Sequence, residues 1–280
     1  MHVGNWQLDT VNGGMFRLDG GVMFGIVPKA LWGNVTPADD ENRIRVANHC
    51  VLARDGKHAV LIDTGYGGKY DKLDRKFYSM EPGEPLVQSL RTLGIEPEEI
   101  DTVVLSHLHF DHVGGATQTG PGGELTLTFP NARHFVGRQE WEDATSQKAE
   151  LRKAYPLKEI IPLQPVVSLI EDDDEVVPGL RAKLTGGHTQ GHLSFVLESC
   201  GEEAIYPGDI CPSRAHLRTM WHLAYDTHPL DTRRRKPQLL NEASQRNSWI
   251  LWNHDPDVAV SRVTAHPRRE FVPTDSAARL

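Results

Sequence analysis

The run Ser106-His107-Leu108-His109-Phe110-Asp111-His112 constrains this chain more than any other stretch. It places three imidazoles and one carboxylate within six consecutive positions, 107 to 112. A packed core has no use for such a cluster, because each buried imidazole or carboxylate needs a polar partner. Divalent metals of borderline softness do use it. Zinc accepts His nitrogen and Asp oxygen, and two ions can share one pocket. The preceding Asp101-Thr-Val-Val-Leu105 reads as a short buried strand, and Val113-Gly114-Gly115 follow. The cluster is therefore expected on a turn at the C-terminal end of a strand, where α/β folds place their chemistry.

Three later segments repeat that placement. His188, in Gly186-Gly187-His188-Thr189-Gln190-Gly191-His192, follows the strand-like run Leu180–Leu184. Asp209, in Tyr206-Pro207-Gly208-Asp209, follows Glu203-Ala204-Ile205. His254, in Asn253-His254-Asp255-Pro256, follows Trp249-Ile250-Leu251. A His or Asp at the close of several strands is the pattern of a site assembled from strand ends.

The order HxHxDH, GGHTxGH, GD and a late HDP resembles the metallo-β-lactamase fold superfamily of metallohydrolases, over roughly residues 40 to 265. The late NHDP is most similar to its dinuclear lactonase and organophosphate-hydrolase branch. The resemblance implies two divalent ions, zinc first, with iron, manganese or cobalt also suited to N/O ligands. It implies that His107, His109 and His188 hold one ion and that Asp111, His112 and His254 hold the other. Asp209 would bridge them, and Asp63, in Ile62-Asp63-Thr64-Gly65, would support the ligands through hydrogen bonds without being one. His192 resembles a position that orients the loop. The implied fold is an αββα sandwich, an α/β class, of two βα halves with sheets inside and helices outside. The chain reads as one such domain over residues 1–280.

The implied reaction is attack by a metal-bridging hydroxide on a lactone or ester carbonyl. Asp111 or Asp209 would pass a proton to the leaving group. Phosphotriester or aryl-ester hydrolysis is the alternative enzyme reading, and a metal-stabilised binding or scaffold protein is the alternative of another class. In lactonases of the family, a Tyr three residues past the bridging Asp often holds the substrate oxygen; here that position is Pro212. His216, Trp221 and Tyr225 in the following segment are candidates for that missing contact, and Trp32 is a candidate for the mouth of the site.

Composition narrows the partners. Thirty basic against 38 acidic residues, a net charge of -8, disfavours nucleic acid and anionic membranes. A small-molecule substrate is expected, and a homodimer is compatible with the sequence. No apolar run is long enough to span a bilayer, and the first residues lack a signal-peptide pattern, so a cytoplasmic location is the default. Three cysteines, Cys50, Cys200 and Cys211, argue against a disulfide framework.

Further elements are expected from local signals. Strands His49–Ala53 and Ala59–Ile62 should flank an Arg54–Lys57 turn, and Leu193–Glu198 should pair with Glu203–Tyr206. Helices are expected at Pro85–Leu93, at Arg138–Tyr155 and over 231 to 247. Gly13-Gly14 and Gly20-Gly21 read as turns, residues 27 to 41 as an ordered loop, Arg233–Lys236 as a solvated basic face, and His134 as a strand residue. A weak internal duplication shows, with Asp63 and Asp209 each closing a strand pair.

Overall fold

The computed structural model describes residues 1–146, 148, 150–151 and 153–278. Two seven-stranded sheets face each other. The first begins with β1 (His2–Val3), β2 (Trp6–Asp19), β3 (Arg43–Arg54), β4 (Ala59–Ile62) and β5 (Thr102–Leu105). A separate hairpin, β6 (Thr117–Thr119) and β7 (Leu125–Leu127), intervenes, and β8 (Arg133–Gly137) and β9 (Val167–Ile170) complete the sheet. The second sheet runs β10 (Glu175–Val177), β11 (Leu180–Leu184), β12 (Leu193–Ser199), β13 (Glu202–Tyr206), β14 (Trp249–Leu251), β15 (Val260–His266) and β16 (Glu270–Ala277) in spatial order.

Period-two alternation builds the layers. In β4, Val60 and Ile62 face the other sheet while Leu61 faces outward; in β5, Val104 faces in while Val103 and Leu105 face out. In β13, Ala204 and Tyr206 face in and Ile205 faces out. The central layer joins Val51, Val60 and Val104 of the first sheet to Leu193, Phe195 and Leu251 of the second.

Helices cover both outer faces. The short α1 (Gly20–Phe24) and α2 (Lys29–Trp32) follow β2, and α3 (Lys72–Tyr78) and α4 (Pro85–Thr92) lie between β4 and β5. After the one-turn α5 (Phe110–Val113) come α6 (Arg138–Thr145) and α7 (Leu157–Ile160). Leu86 and Leu90 of α4, Ala144 of α6 and Ile160 of α7 pack on the first sheet. Leu240 and Ala243 of α8 (Pro229–Arg246) pack on the second. The result is an αββα sandwich.

The internal duplication has a structural counterpart. In each sheet an antiparallel hairpin, β3–β4 or β12–β13, passes through helix to a parallel neighbour, β5 or β14. Parallel neighbours end at the same edge, and β11 runs in the same sense as β13 because both are antiparallel to β12. The segments that follow β4 and β5 therefore emerge at one edge of the first sheet, and those that follow β11, β13 and β14 at one edge of the second.

Several expectations are corrected. The helix expected over Arg138–Tyr155 ends at Thr145; residues 147, 149 and 152 of that span lie outside the described residues, and 150–151 and 153–154 are turn. Gly13-Gly14 is a bulge inside β2, where the register shifts between Asn12 and Met15, and Gly20-Gly21 opens α1. Residues 29 to 32 of the expected loop form one helical turn. The basic run Arg233–Lys236 is only partly solvated. Lys236 is fully buried, and its Nζ donates to Arg218 O at 2.8 Å and Trp221 O at 2.6 Å.

Candidate metal centre

Asp63 organises the first half of the site. It follows β4 with φ of 56°, a left-handed conformation that non-glycine residues seldom adopt. Its carboxylate accepts from Ser106 N and Ser106 Oγ, both at 2.7 Å, from Tyr206 Oη at 2.8 Å and from His112 Nδ1 at 2.8 Å. The turn after β5 is thereby tied to β4 and to the opposite sheet.

The outward nitrogens define the inward ones. A carboxylate can only accept, so the contact with Asp63 places the proton of His112 on Nδ1. Asp226 does the same for His188, with Oδ1 2.9 Å from Nδ1. Ala47 O does so for His254, 2.7 Å from Nδ1. Ser106 Oγ already donates to Asp63, so it accepts from His107 Nδ1 at 3.1 Å. Four Nε2 atoms consequently point inward.

They converge in two sets. His107 Nε2 and His188 Nε2 stand 3.1 and 3.0 Å from His109 Nδ1. A single proton on His109 can satisfy at most one of them. In the other set, His254 Nε2 and His112 Nε2 lie 3.5 and 3.8 Å from Asp111 Oδ2, and His112 Nε2 is buried with no hydrogen-bond partner. Asp209 lies between the sets. Its Oδ2 is 3.3 Å from His188 Nε2, and its Oδ1 is 3.1 Å from His254 Nε2 and 3.5 Å from His112 Nε2.

Charge agrees with a cationic occupant. Burial, then the neighbouring imidazoles, hold His107 and His109 well below the usual range, so both rings are neutral lone-pair donors. Burial opposes protonation of His112 as well, but Asp111, Asp209 and Asp63 outweigh it and push the ring up to about 10. Buried carboxylates here draw positive charge, and among the described residues no Lys or Arg forms an ion pair with Asp111 or Asp209. Lone pairs, carboxylates and an orphaned Nε2 are a donor set suited to divalent ions. His107, His109 and His188 form one group of atoms close enough to hold an ion, and Asp111, His112 and His254 form another.

His192 is excluded as a ligand by its bonding. Asp209 N donates to its Nε2 at 3.0 Å, which uses the lone pair, and Nδ1 meets Thr185 Oγ1 at 2.6 Å. Its role is to seat the Asp209 loop. Gly208 permits this, because a Cβ there would lie 2.6 Å from His192 Nε2.

The remaining candidates separate. Tyr225 reaches the centre, its ring 5.3 Å from that of His188 and 6.2 Å from that of His109. His216 does not; its nitrogens bond Ser213 Oγ and Met23 O, both at 2.8 Å. Trp221 packs edge-on against Phe24. Trp32 is 1% exposed and stacked on Phe24 in the core, rather than standing at a mouth. Cys211 is buried among Ile205, Ile210 and Leu217.

Sequence reasoning missed four supporting residues. Asp226 also accepts from Thr232 Oγ1 at 2.9 Å, and burial, which alone would raise its carboxyl, is outweighed by His188 and His222, so it titrates at about 2. Asn253 Nδ2 donates to Asp209 Oδ1 at 2.6 Å, and Asn48 Nδ2 to Asp111 O at 2.6 Å. Glu140 accepts from Leu108 N at 2.9 Å and Thr189 Oγ1 at 2.6 Å, joining the His107 and His188 turns. Only Asn253, adjacent to His254, carried a sequence signal.

The chain is similar to several known proteins. The metallo-beta-lactamase superfamily model matches residues 43–254. An N-acyl homoserine lactonase of Bacillus cereus is 30% identical over 168 residues, 56% of this chain and 61% of that protein. The N-acyl homoserine lactonase AttM of Agrobacterium fabrum (strain C58) is 26% identical over 220 residues, 75% and 79% of the two chains. The matched region thus spans about three-fifths of the length of the Bacillus relative. A probable metal-dependent hydrolase from Staphylococcus aureus superposes with a TM-score of 0.90 at 29% identity, covering 99% of this chain and 100% of that one. The dizinc quorum-quenching lactonase AidC shares the fold, with a TM-score of 0.80 at 20% identity over 99% and 96% of the chains. The chain belongs to the metallo-β-lactamase superfamily.

Proposed function

We propose that this chain is a dinuclear metal-dependent hydrolase acting on a lactone or a related ester. The observation that carries the reading is Asp209, which turns one carboxylate oxygen to each of two sets of imidazole nitrogens. His107, His109 and His188 would hold one ion, and Asp111, His112 and His254 the other, with Asp209 shared. Such ions supply Lewis acidity and bring the pKa of water toward neutrality. The hydrolase and lactonase descriptions of the relatives support the same reading.

The chain's own residues do the rest. Asp226, Asp63 and Ala47 O hold the imidazoles in one tautomer, so the inward lone pairs are set before substrate arrives. Asp111 or Asp209, 5% and 2% exposed, would carry a proton to the leaving oxygen. Tyr225 is the hydroxyl available to the substrate. Its OH has only Met23 Sδ at 3.7 Å, a weak acceptor, among the described residues. Burial, reinforced by Asp209 and Asp111, pushes the phenol well above its usual range, so it stays a donor. It takes the role left open by Pro212. Phe110 packs edge-on against Tyr70 and tilted against Tyr78, and these rings lie against the same apolar cluster as Tyr225.

The test is hydrolysis of a panel of lactones, aryl esters and phosphotriesters by the chain carrying two ions. Lactone or ester turnover is expected, with Tyr225→Phe lowering kcat/KM about tenfold at unchanged metal content. Two bound ions without turnover on any of the three classes would replace this reading with a metal-stabilised binding protein.

A further inference from the structure

A cleft of about 600 Å³ lies between residues 35–37, the segment from Ser213 to Trp221, the 255–257 turn and β16. None of the seven converging residues lines it. Four arginines do: Arg45, Arg214, Arg218 and Arg269.

The two acidic residues of the cleft are already engaged. Asp255 takes Arg214 through Nε at 2.8 Å and Nη2 at 3.0 Å, and also accepts from Arg214 N, Asp257 N and Val258 N. Asp257 Oδ1 stands 3.7 Å from Arg45 Nη1. Arg218 lies over the Trp221 ring, 5.3 Å from its centroid. Among the described residues neither Arg218 nor Arg269 has a carboxylate within 4.0 Å. Four arginines against two aspartates leave the cleft at +2 on a chain whose net charge is -8. Trp221, Phe271, Pro37 and Pro273 supply an apolar wall beside these guanidinium groups.

We propose that this cleft is a second binding site, for a carboxylate joined to an apolar chain or ring. Arginine pairs its planar fork with a carboxylate at low desolvation cost, and a mostly apolar pocket with a few polar anchors is the usual form of a small-ligand site. Arg218 and Arg269 receive the anion, and Trp221 and Phe271 receive the apolar part. The site stands independently of the reaction assigned to the metal centre.

Octanoate is the probe, added to the metal-loaded chain. The readout is the Trp221 indole signal in a nitrogen–proton correlation spectrum, assigned with Trp221→Phe. This signal separates cleft binding from any carboxylate binding at the metal centre. A saturable shift is expected, weakened by added salt and at least about tenfold weaker in Arg218→Ala/Arg269→Ala. Octanol should bind at least about tenfold more weakly than octanoate, and lactone or ester turnover of the double variant should equal that of the parent. Millimolar octanoate leaving Trp221 unmoved, octanol binding equally well, or the double variant titrating like the parent would each overturn the site.

Discussion

His188 Nδ1 lies 2.9 Å from Asp226 Oδ1, while the opposite nitrogen of the same ring faces Asp209. Asp226 lies 38 residues further on, in the segment that leads into α8. The second sheet's outer helix is thereby linked to the inner face of the site, through Thr232 and Asp226 to the imidazole. This contact decides which nitrogen of His188 is free to bind.

Asp226→Asn removes the charge that holds this tautomer while preserving shape. Affinity at the His107–His109–His188 set should fall about 10- to 100-fold, measured by competition with a chromophoric chelator. The Asp111–His112–His254 set should keep its affinity. An unchanged first site would show that Asp226 serves only the packing of α8.

Asp209→Asn should weaken both sets, because both lose the negative charge they share and the amide retains only one neutral oxygen donor. Metal content per chain after dialysis is the measurement. Loss of one ion with full retention of the other would refute the shared role and assign Asp209 to a single set.

His134 provides a pH test away from the centre. It is fully buried in β8, and burial holds it down to about 4, below the usual 6.5, against the opposing bond to Ala132 O. The unfolded chain therefore takes up this proton before the folded one. Stability from His134 is complete above pH 6.5 and declines as pH falls through 6.5 toward 4, by roughly 3 kcal/mol at most. His134→Asn keeps a donor for Ala132 O without titrating. Denaturant unfolding should show a shallower stability loss over that window in the variant; parallel pH profiles would contradict the assignment.

Trp32→Ala tests packing against substrate contact. With Trp32 buried on Phe24, the substitution should cost about 3–5 kcal/mol of stability, read by denaturant unfolding. KM of the protein that remains folded should not change. A large KM effect with little loss of stability would return Trp32 to the mouth of the site.

How much was legible in the sequence depended on how local each signal was. His107, His109, Asp111 and His112 lie within one turn, so their spacing alone marks them. His188, Asp209 and His254 share the simpler mark of a polar residue closing a short apolar run. Asp226 and Glu140 have no such mark, since their partners are 38 and 32 or more residues away and only the fold brings them near. The helix expected after Arg138 ends at Thr145, where Thr145 and Ser146 turn their hydroxyls back onto Trp141 O and Asp143 O, a local competition that the helical pattern does not register. Gly13-Gly14 looked like a turn because a bulge inside a long strand uses the same residues as a turn, and here Gly14 also admits the Tyr66 ring.

The most direct test of the paired centre is anomalous scattering at the zinc edge from crystals grown with zinc. Two peaks are expected, one beside each oxygen of Asp209, the first among His107, His109 and His188 and the second among Asp111, His112 and His254. A single peak, or none between those rings, would contradict the account.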